Sequence, residues 1–476
     1  MFQPSHTAFV EGRTTGEASL AEILGAFSYA LDLTEGQPAG HSVRAAWIGH
    51  FVGRAAGLRG RDLADCLYAV MLKDLGCSSN AARVAELFVG DDRTLKHGFK
   101  LIGPDGAAFL AFVEAEVGTK AEAAARRSAR DHLLANAGPI LTGFIHTRCT
   151  QGADIARRLR FSESVATAIA ALDEHWDGGG MPSGMAGEAI PLIARIALLA
   201  QVADVFWMVG GPDRARAEVA ARGGSWLDPE LARLFDDLAS DPRFWTELAD
   251  PQIDAALFAL EPAQTRVTVD DAYLDDIAAA FGNVIDAKSP FTAGHSERVA
   301  LFTDGIAARM DIDQPDRRSL VRAAMLHDIG KLGVSNRILD KPGPLDTAEW
   351  VAMRGHAGAT TDILSRIGLL SDWAMIAGSH HERLDGKGYP LGLDARSIAR
   401  ETRIISVADF FDALTADRPY RMAMPVDRAL AIMESEAGSA IDADCLAVLR
   451  ELVADGIPEA PLPRLPDTLA IDPPSP

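Results

Sequence analysis

The chain repeats itself. At an offset of 254 residues, Leu20, Ile23, Ala26, Phe27, Asp32, Ala39, Gly40, His41, Ser42 and Arg44 match Leu274, Ile277, Ala280, Phe281, Asp286, Ala293, Gly294, His295, Ser296 and Arg298. At the same offset Met71-Leu72-Lys73-Asp74-Leu75-Gly76 overlays Met325-Leu326-His327-Asp328-Ile329-Gly330. Further on the offset falls to about 205–208: Asp177 to Pro182 overlays Asp385 to Pro390, and Val202-Ala203-Asp204 overlays Val407-Ala408-Asp409. The fall implies about 46 extra residues in the first copy, between about Leu87 and Ala137. A duplicated unit buries the same apolar pattern twice, so any fold proposed for one copy must also suit the other.

That pattern is helical. Leu320, Ala324, Met325 and Asp328 fall at i, i+4, i+5 and i+8, which predicts a helix carrying Asp328 on its buried side. Gly330 and Gly333 mark its end. Trp373, Ile376 and Ala377 lead to His380 with similar spacing, and strand-like alternation is scarce. The expectation is an all-α chain with tandem domains at 15–262 and 266–457. The first carries an insert at about 87–137, whose run Thr119 to Arg127 reads as helix on propensity. The join falls around Glu261 to Gln264, with Thr265 to Asp270 leading into the second copy. Residues 458–476 hold seven prolines in nineteen and predict a flexible tail.

The second copy concentrates metal-binding side chains. Its five histidines, His295, His327, His356, His380 and His381, all sit in motif-like contexts, and Asp328 and Asp409 complete a set of seven. Imidazole and carboxylate without thiolate suit iron, manganese and related divalent ions. A carboxylate can give one oxygen to each of two ions, so Asp328 is the natural bridge. One ion would take His295, His327, Asp328 and Asp409; the other would take Asp328, His356, His380 and His381. A hydroxide between two such cations is a competent nucleophile at neutral pH.

After the histidine pair comes His381-Glu382-Arg383-Leu384-Asp385-Gly386-Lys387-Gly388-Tyr389-Pro390. Together with His327-Asp328-Ile329-Gly330-Lys331, this segment is similar to the HD-GYP family, a branch of the HD superfamily of metal-dependent phosphohydrolases. The resemblance runs from about Asp271 to about Val453. It implies an all-helical fold, two or three ions and hydrolysis of a cyclic dinucleotide, typically cyclic di-GMP. The seven ligands match the family's metal positions, with Asp328 bridging. The resemblance also implies that Lys331, Arg418 and Arg421 face substrate phosphates, a role for which the two arginines offer paired guanidinium donors. Gly388-Tyr389-Pro390 reads as a loop-fixing element, with no catalytic role for Tyr389. Relatives with a third ion carry a glutamate where this chain has Phe291, so two divalent transition-metal ions, iron or manganese, are expected.

The first copy keeps the pattern and loses the ligands. Lys73 replaces the histidine of His-Asp, Arg148 stands for His356, Leu172-Asp173 for the histidine pair and Cys77 for Lys331. His41, Asp74 and Asp204 remain, too few for a metal pair, and His41 reads as a hydrogen-bonded structural residue. This copy is expected to be a pseudo-enzyme domain. It would be either a sensory module or one that mimics a homodimer contact within a single chain.

A net charge of −21 argues against nucleic-acid binding, so a phosphate substrate must be attracted locally, by metals and by Lys331, Lys387, Arg418 and Arg421. Four scattered cysteines form no disulfide framework. No export signal and no unbroken run of 18 apolar residues is seen, so a cytoplasmic protein without a membrane span is expected. The function this implies is a metal-dependent phosphodiesterase acting on a cyclic dinucleotide, most readily cyclic di-GMP, by hydroxide attack on phosphorus. The alternatives are a phosphohydrolase for another cyclic nucleotide or a linear dinucleotide, and a non-catalytic second-messenger receptor. A homodimer and a regulatory partner reached through the first copy are both left open.

Overall fold

The computed structural model describes residues 20–102, 106–119, 121–261, 269–367 and 370–456, which form helices, turns and isolated bridges with no strand among them. The first copy contains α1 (Leu20–Thr34), α2 (His41–Ala55), α3 (Gly60–Met71), α4 (Ala81–Phe88), α5 (Asp92–Leu101), α6 (Gly106–Glu116) and α7 (Ala123–Ala135). It continues with α8 (Ala137–Arg158), α9 (Glu163–Ala170), α10 (Leu192–Arg222), α11 (Pro229–Ala239), α12 (Pro242–Leu248) and α13 (Ile253–Ala259). The second has α14 (Asp271–Asp286), α15 (His295–Arg309), α16 (Gln314–Leu326), α17 (Asn336–Leu339) and α18 (Thr347–Leu364). It ends with α19 (Ser371–Gly378), α20 (Arg400–Thr415), α21 (Val426–Glu436) and α22 (Ala443–Ala454).

Local chemistry sets the helix ends that matter. Gly40 and Gly294 adopt left-handed φ of 82° and 67°, so the chain turns sharply and His41 and His295 become the first helical residues, facing inward. Asp313 caps α16 with proline in its first turn, and Asp346 and Glu349 form a reciprocal capping box on α18. Ser42 and Ser296 each bond the buried carboxylate ten residues upstream, Asp32 and Asp286.

Three expectations change. Helix α16 ends at Leu326, and His327 and Asp328 occupy the turn before a 3₁₀ segment, Ile329–Gly333. Asp328 therefore reaches the site from a helix end rather than a helix face. The insert's run begins as helix only at Ala123, because Gly118 turns the chain with φ of 59°. The third change concerns register. Helices α10 and α20 begin 208 residues apart, and Asp204 makes the same contacts as Asp412: each accepts from a helix-starting histidine and from an arginine three residues on. Asp204 is thus the counterpart of Asp412, and Gln201 stands where Asp409 does. A slip of three residues keeps a side chain near the same helix face, which is why Val-Ala-Asp aligned equally well in the wrong register. The expected join lies largely in 262–268, and the expected tail in 457–476, outside the described residues.

One apolar core runs through both copies. Phe27 and its repeat counterpart Phe281 stack with ring centroids 4.0 Å apart. Helix α1 packs on the 329–333 turn and α18, and α14 packs on the 77–80 turn and α8. A residue stacked on its own counterpart, with reciprocal helix contacts around it, marks a pseudo-two-fold axis, the arrangement of an isologous dimer. Helices α4 to α7 enclose a smaller cluster around Phe88, Leu95 and Val113. Helix α10 is long and apolar enough to cross a membrane, but 72% of its apolar window is buried, as a core helix requires.

Candidate active site

The seven predicted ligands converge. His295 comes from the start of α15, His327 and Asp328 from the turn after α16, and His356 from α18. His380 and His381 follow α19, and Asp409 lies on α20. Gly330 makes part of this possible: a Cβ there would lie 2.0 Å from the His356 carbonyl oxygen, so glycine lets the His-Asp turn press against α18.

Asp328 is two-sided. Its Oδ2 lies 3.3 Å from His295 Nε2 and 3.4 Å from His327 Nε2. Its Oδ1 lies 3.5 Å from His356 Nε2 and 3.6 Å from His380 Nε2. Asp409 Oδ1 is 3.4 Å from His295 Nε2, on the Oδ2 side, and His381 groups with His356 and His380 on the other. Ligand atoms about 2.1 Å from a shared ion are separated by roughly 3.0–3.4 Å, close to these spacings.

Backbone carbonyls fix the imidazoles. The Nδ1–H of His327, His356 and His380 donates to the carbonyl three residues earlier, at Ala324 (2.7 Å), Met353 (2.5 Å) and Ala377 (2.6 Å). A carbonyl only accepts, so each Nε2 keeps a lone pair. His295 is held through Nδ1 by Asp412 at 2.7 Å, and Arg298 braces that carboxylate. Within this cluster, His295 Nε2, His327 Nε2 and Asp328 Oδ1 are buried without hydrogen-bond partners. Buried unsatisfied atoms are costly, and here they lie on both sides of Asp328, two on its Oδ2 side and Oδ1 itself on the other, where two cations would complete them. The residues therefore fit a metal pair.

Charge supports the same conclusion. Burial, then repulsion from His356, pushes His381 down to about 3, and burial pushes His356 to about 4 against the pull of Asp328. His380 is driven well below its ordinary value by burial and His381. Burial opposes ionisation of Asp328 and Asp409, yet His327 and neighbouring cations hold both well below the carboxylate range. Burial also disfavours the charge on His295, but the nearby carboxylates of Asp328 and Asp412 raise it to about 9. His356, His380 and His381 are therefore neutral beside ionised carboxylates, the ligand state of a metal site, whereas His295 carries a proton that a bound cation would displace.

The proposed substrate residues separate. Lys331 lies at the site with Nζ 2.5 Å from Asp328 Oδ2. Arg418 is half-buried and has no ion-pair partner among the described residues. Arg421 turns back on α20, donating to the carbonyls of Ala413, Leu414 and Met422, and so caps that helix end. Tyr389 packs on His381, its ring centroid 4.8 Å away, and Arg354 lies over the Tyr389 ring beside the exposed Trp350. Sequence reasoning missed Asp412, Arg354 and Trp350. Asp412 was detectable: an arginine three residues after each helix-starting histidine needs a buried acid, and the repeat supplied one.

The first copy builds the same cradle without the donors. A Cβ on Gly76 would lie 1.9 Å from the Arg148 carbonyl, so Arg148 stands at the His356 position. Lys73 Nζ is 2.5 Å from Asp74, and Lys100, delivered by the insert, is 3.3 Å from Asp74 and 3.0 Å from Glu35. Glu35, Asp74 and Cys77 lie close enough to hold an ion, but the Lys100 ammonium sits against both carboxylates. His41 is bonded to Asp204 at 2.7 Å.

An HD domain family model matches residues 141–231 and 280–445, drawing on both copies. The 3′3′-cGAMP-specific phosphodiesterase 3 of Vibrio cholerae serotype O1 is 49% identical over 91% of this chain and 94% of that protein. This chain belongs to the HD-GYP family. A solved V. cholerae structure described as a cyclic GMP-AMP-specific phosphodiesterase aligns over 92% of this chain and 98% of its own, with TM-score 0.65 and 45% identity. A cyclic di-GMP phosphodiesterase of Thermotoga maritima is 38% identical over 38% of this HD-GYP chain and 50% of its own length.

Proposed function

We propose that this chain is a metal-dependent phosphodiesterase that opens a cyclic dinucleotide, with 3′3′-cGAMP preferred over cyclic di-GMP. The observation that carries the hydrolytic reading is Asp328, whose two oxygens face separate histidine pairs. His295, His327, Asp328 and Asp409 would hold one ion; Asp328, His356, His380 and His381 would hold the other. Iron or manganese, when bound, supplies a deprotonated nucleophile at neutral pH and neutralises charge on the phosphate.

The protein's part is positioning. The carbonyl-anchored imidazoles hold their Nε2 atoms toward Asp328, and Asp412 fixes the ring of His295. Lys331 offers one ammonium to a phosphate oxygen. Arg354 and the exposed Trp350 give the rim a cation and a ring on which a base can stack. The preference for 3′3′-cGAMP is supported by extent: the relative of that named specificity matches across both copies, whereas the T. maritima enzyme matches a much shorter stretch.

The test is a chromatographic assay of the full chain, loaded with Fe(II) or Mn(II), against 3′3′-cGAMP, cyclic di-GMP and linear dinucleotides. Faster ring-opening of 3′3′-cGAMP is expected. Faster turnover of cyclic di-GMP would reverse the substrate assignment, and metal-loaded protein that opens neither ring would favour the receptor reading.

A further inference from the structure

The first copy holds a cavity of about 520 Å³ where the second copy has its ligands. Its walls are largely apolar and aromatic, with Phe99 and Phe109 from the insert, Leu141 and Phe144 from α8, and Trp226. Its four cations already have acid partners: Lys96 and Lys100 pair with Glu35, Lys100 also with Asp74, Arg148 with Asp173 and Arg222 with Glu218. Three lining residues carry buried polar atoms without hydrogen-bond partners, Arg222 Nη1, Gln201 Oε1 and Arg148 Nη2, the last in an ion pair with Asp173. Arg222 is 1% exposed and Gln201 7%. Such atoms cost free energy unless something completes them. Gln201 occupies the position of Asp409 and Arg148 that of His356, so neutral and cationic groups have replaced metal ligands.

We propose that this cavity binds a small aromatic anion without metal, and that the catalytic copy senses its occupancy through α5. The ligand's anionic group accepts from the unpartnered Nη1 of Arg222, a ring lies among the phenylalanines and Trp226, and an N–H or O–H donates to Gln201. A cavity of this size suits a two- or three-ring molecule. Helix α5 gives Lys96, Phe99 and Lys100 to the cavity and its first turn to the other copy. Asp92 accepts from Lys288 Nζ at 3.0 Å and from the Asn336 backbone at 2.8 Å, and Arg93 donates to the Gly333 carbonyl at 2.7 Å. Gly333 lies two residues beyond Lys331 on the same turn.

The probe is 8-anilinonaphthalene-1-sulfonate, an aromatic anion with one N–H, titrated by fluorescence into the folded full chain. Saturable binding of one molecule per chain is expected, at least about tenfold tighter than its uncharged relative N-phenyl-1-naphthylamine, as one charge-assisted hydrogen bond would give. Leu141→Trp and Met181→Trp, both at half-buried lining positions, should each abolish it while leaving the circular dichroism spectrum intact. No saturable binding, or binding that survives in a folded filling variant, overturns the site. Equal affinity for the uncharged probe overturns the anion assignment. Hydrogen exchange at residues 333–336 should slow when the probe is bound; unchanged exchange in the saturated protein overturns the α5 route and leaves the pocket standing.

Discussion

The two copies share a framework and differ in how they treat one buried aspartate. Asp74 and Asp328 occupy the same turn, each against a glycine pressed on the neighbouring helix. In the first copy Lys73 and Lys100 surround Asp74, and Arg148 pairs with Asp173 close by. In the second copy the only ammonium on Asp328 among the described residues is Lys331, and imidazoles with unused lone pairs fill the rest. A buried carboxylate must be neutralised, by the protein's own cations or by something bound. The supports around it, Asp32 with Ser42 and Asp204 with His41 and Arg44, persist in both copies. Those contacts belong to the scaffold, and the function resides in the few groups that changed.

The sharpest way to break this comparison is to remove each aspartate. Asp328→Ala should abolish hydrolysis and strip both ions, because each loses a shared ligand. Asp74→Ala should keep the metal content but leave Lys73 buried without its carboxylate and Lys100 with Glu35 alone, lowering stability by roughly 3–5 kcal/mol. Elemental analysis with thermal melts of both full-length variants reads the contrast. Equal metal loss in the two would place ions in the first copy as well.

A smaller effect is expected one step further out. Asp412→Ala removes the acid that orients His295, which typically costs roughly 10–100-fold in metal affinity. Competition with a fluorescent chelator measures it. Asp204→Ala should leave metal affinity unchanged, and a shift there would mean the scaffold pair acts across the interface.

Lys331→Ala should retain metal and lower kcat/KM by about one to two powers of ten, the loss of one charge-assisted hydrogen bond. Stoichiometry and turnover must be taken on the same preparation. Loss of metal along with the rate would make Lys331 a partner of Asp328 alone, the contact seen at 2.5 Å.

Much of this was legible in the sequence because ligand chemistry is carried by residue type. Seven donors could be named and divided between two ions before any geometry was known, and the repeat revealed the insert by its change of offset. The rest depended on register and on distant contacts. A helix pattern runs through Met325 to Asp328 without showing that the backbone tightens at His327. Asp409 and Asp412 lie three residues apart on nearly the same face, so pattern alone assigned Asp204 to the wrong one. Lys100 comes from an insert with no counterpart in the second copy, and no local spacing could place its ammonium against Asp74.

The finest test concerns the interface between the copies. Phe27 and Phe281 are counterparts in the repeat, fully buried, and stacked with an interplanar angle of 15°. If the chain folds as a dimer joined into one molecule, each ring's contribution should depend on the other. In a double-mutant cycle with Phe27→Leu and Phe281→Leu, the coupling should be about 0.5–1.5 kcal/mol, the range for an aromatic pair beyond its buried area. Chemical denaturation of the four proteins gives this value if the whole chain unfolds in one transition. Two transitions with each substitution shifting only its own would show that the copies fold separately. A coupling of zero within one transition would leave the rings as neighbours without a shared contact, and the homodimer analogy would then have to rest on the reciprocal contacts of α1 and α14 alone.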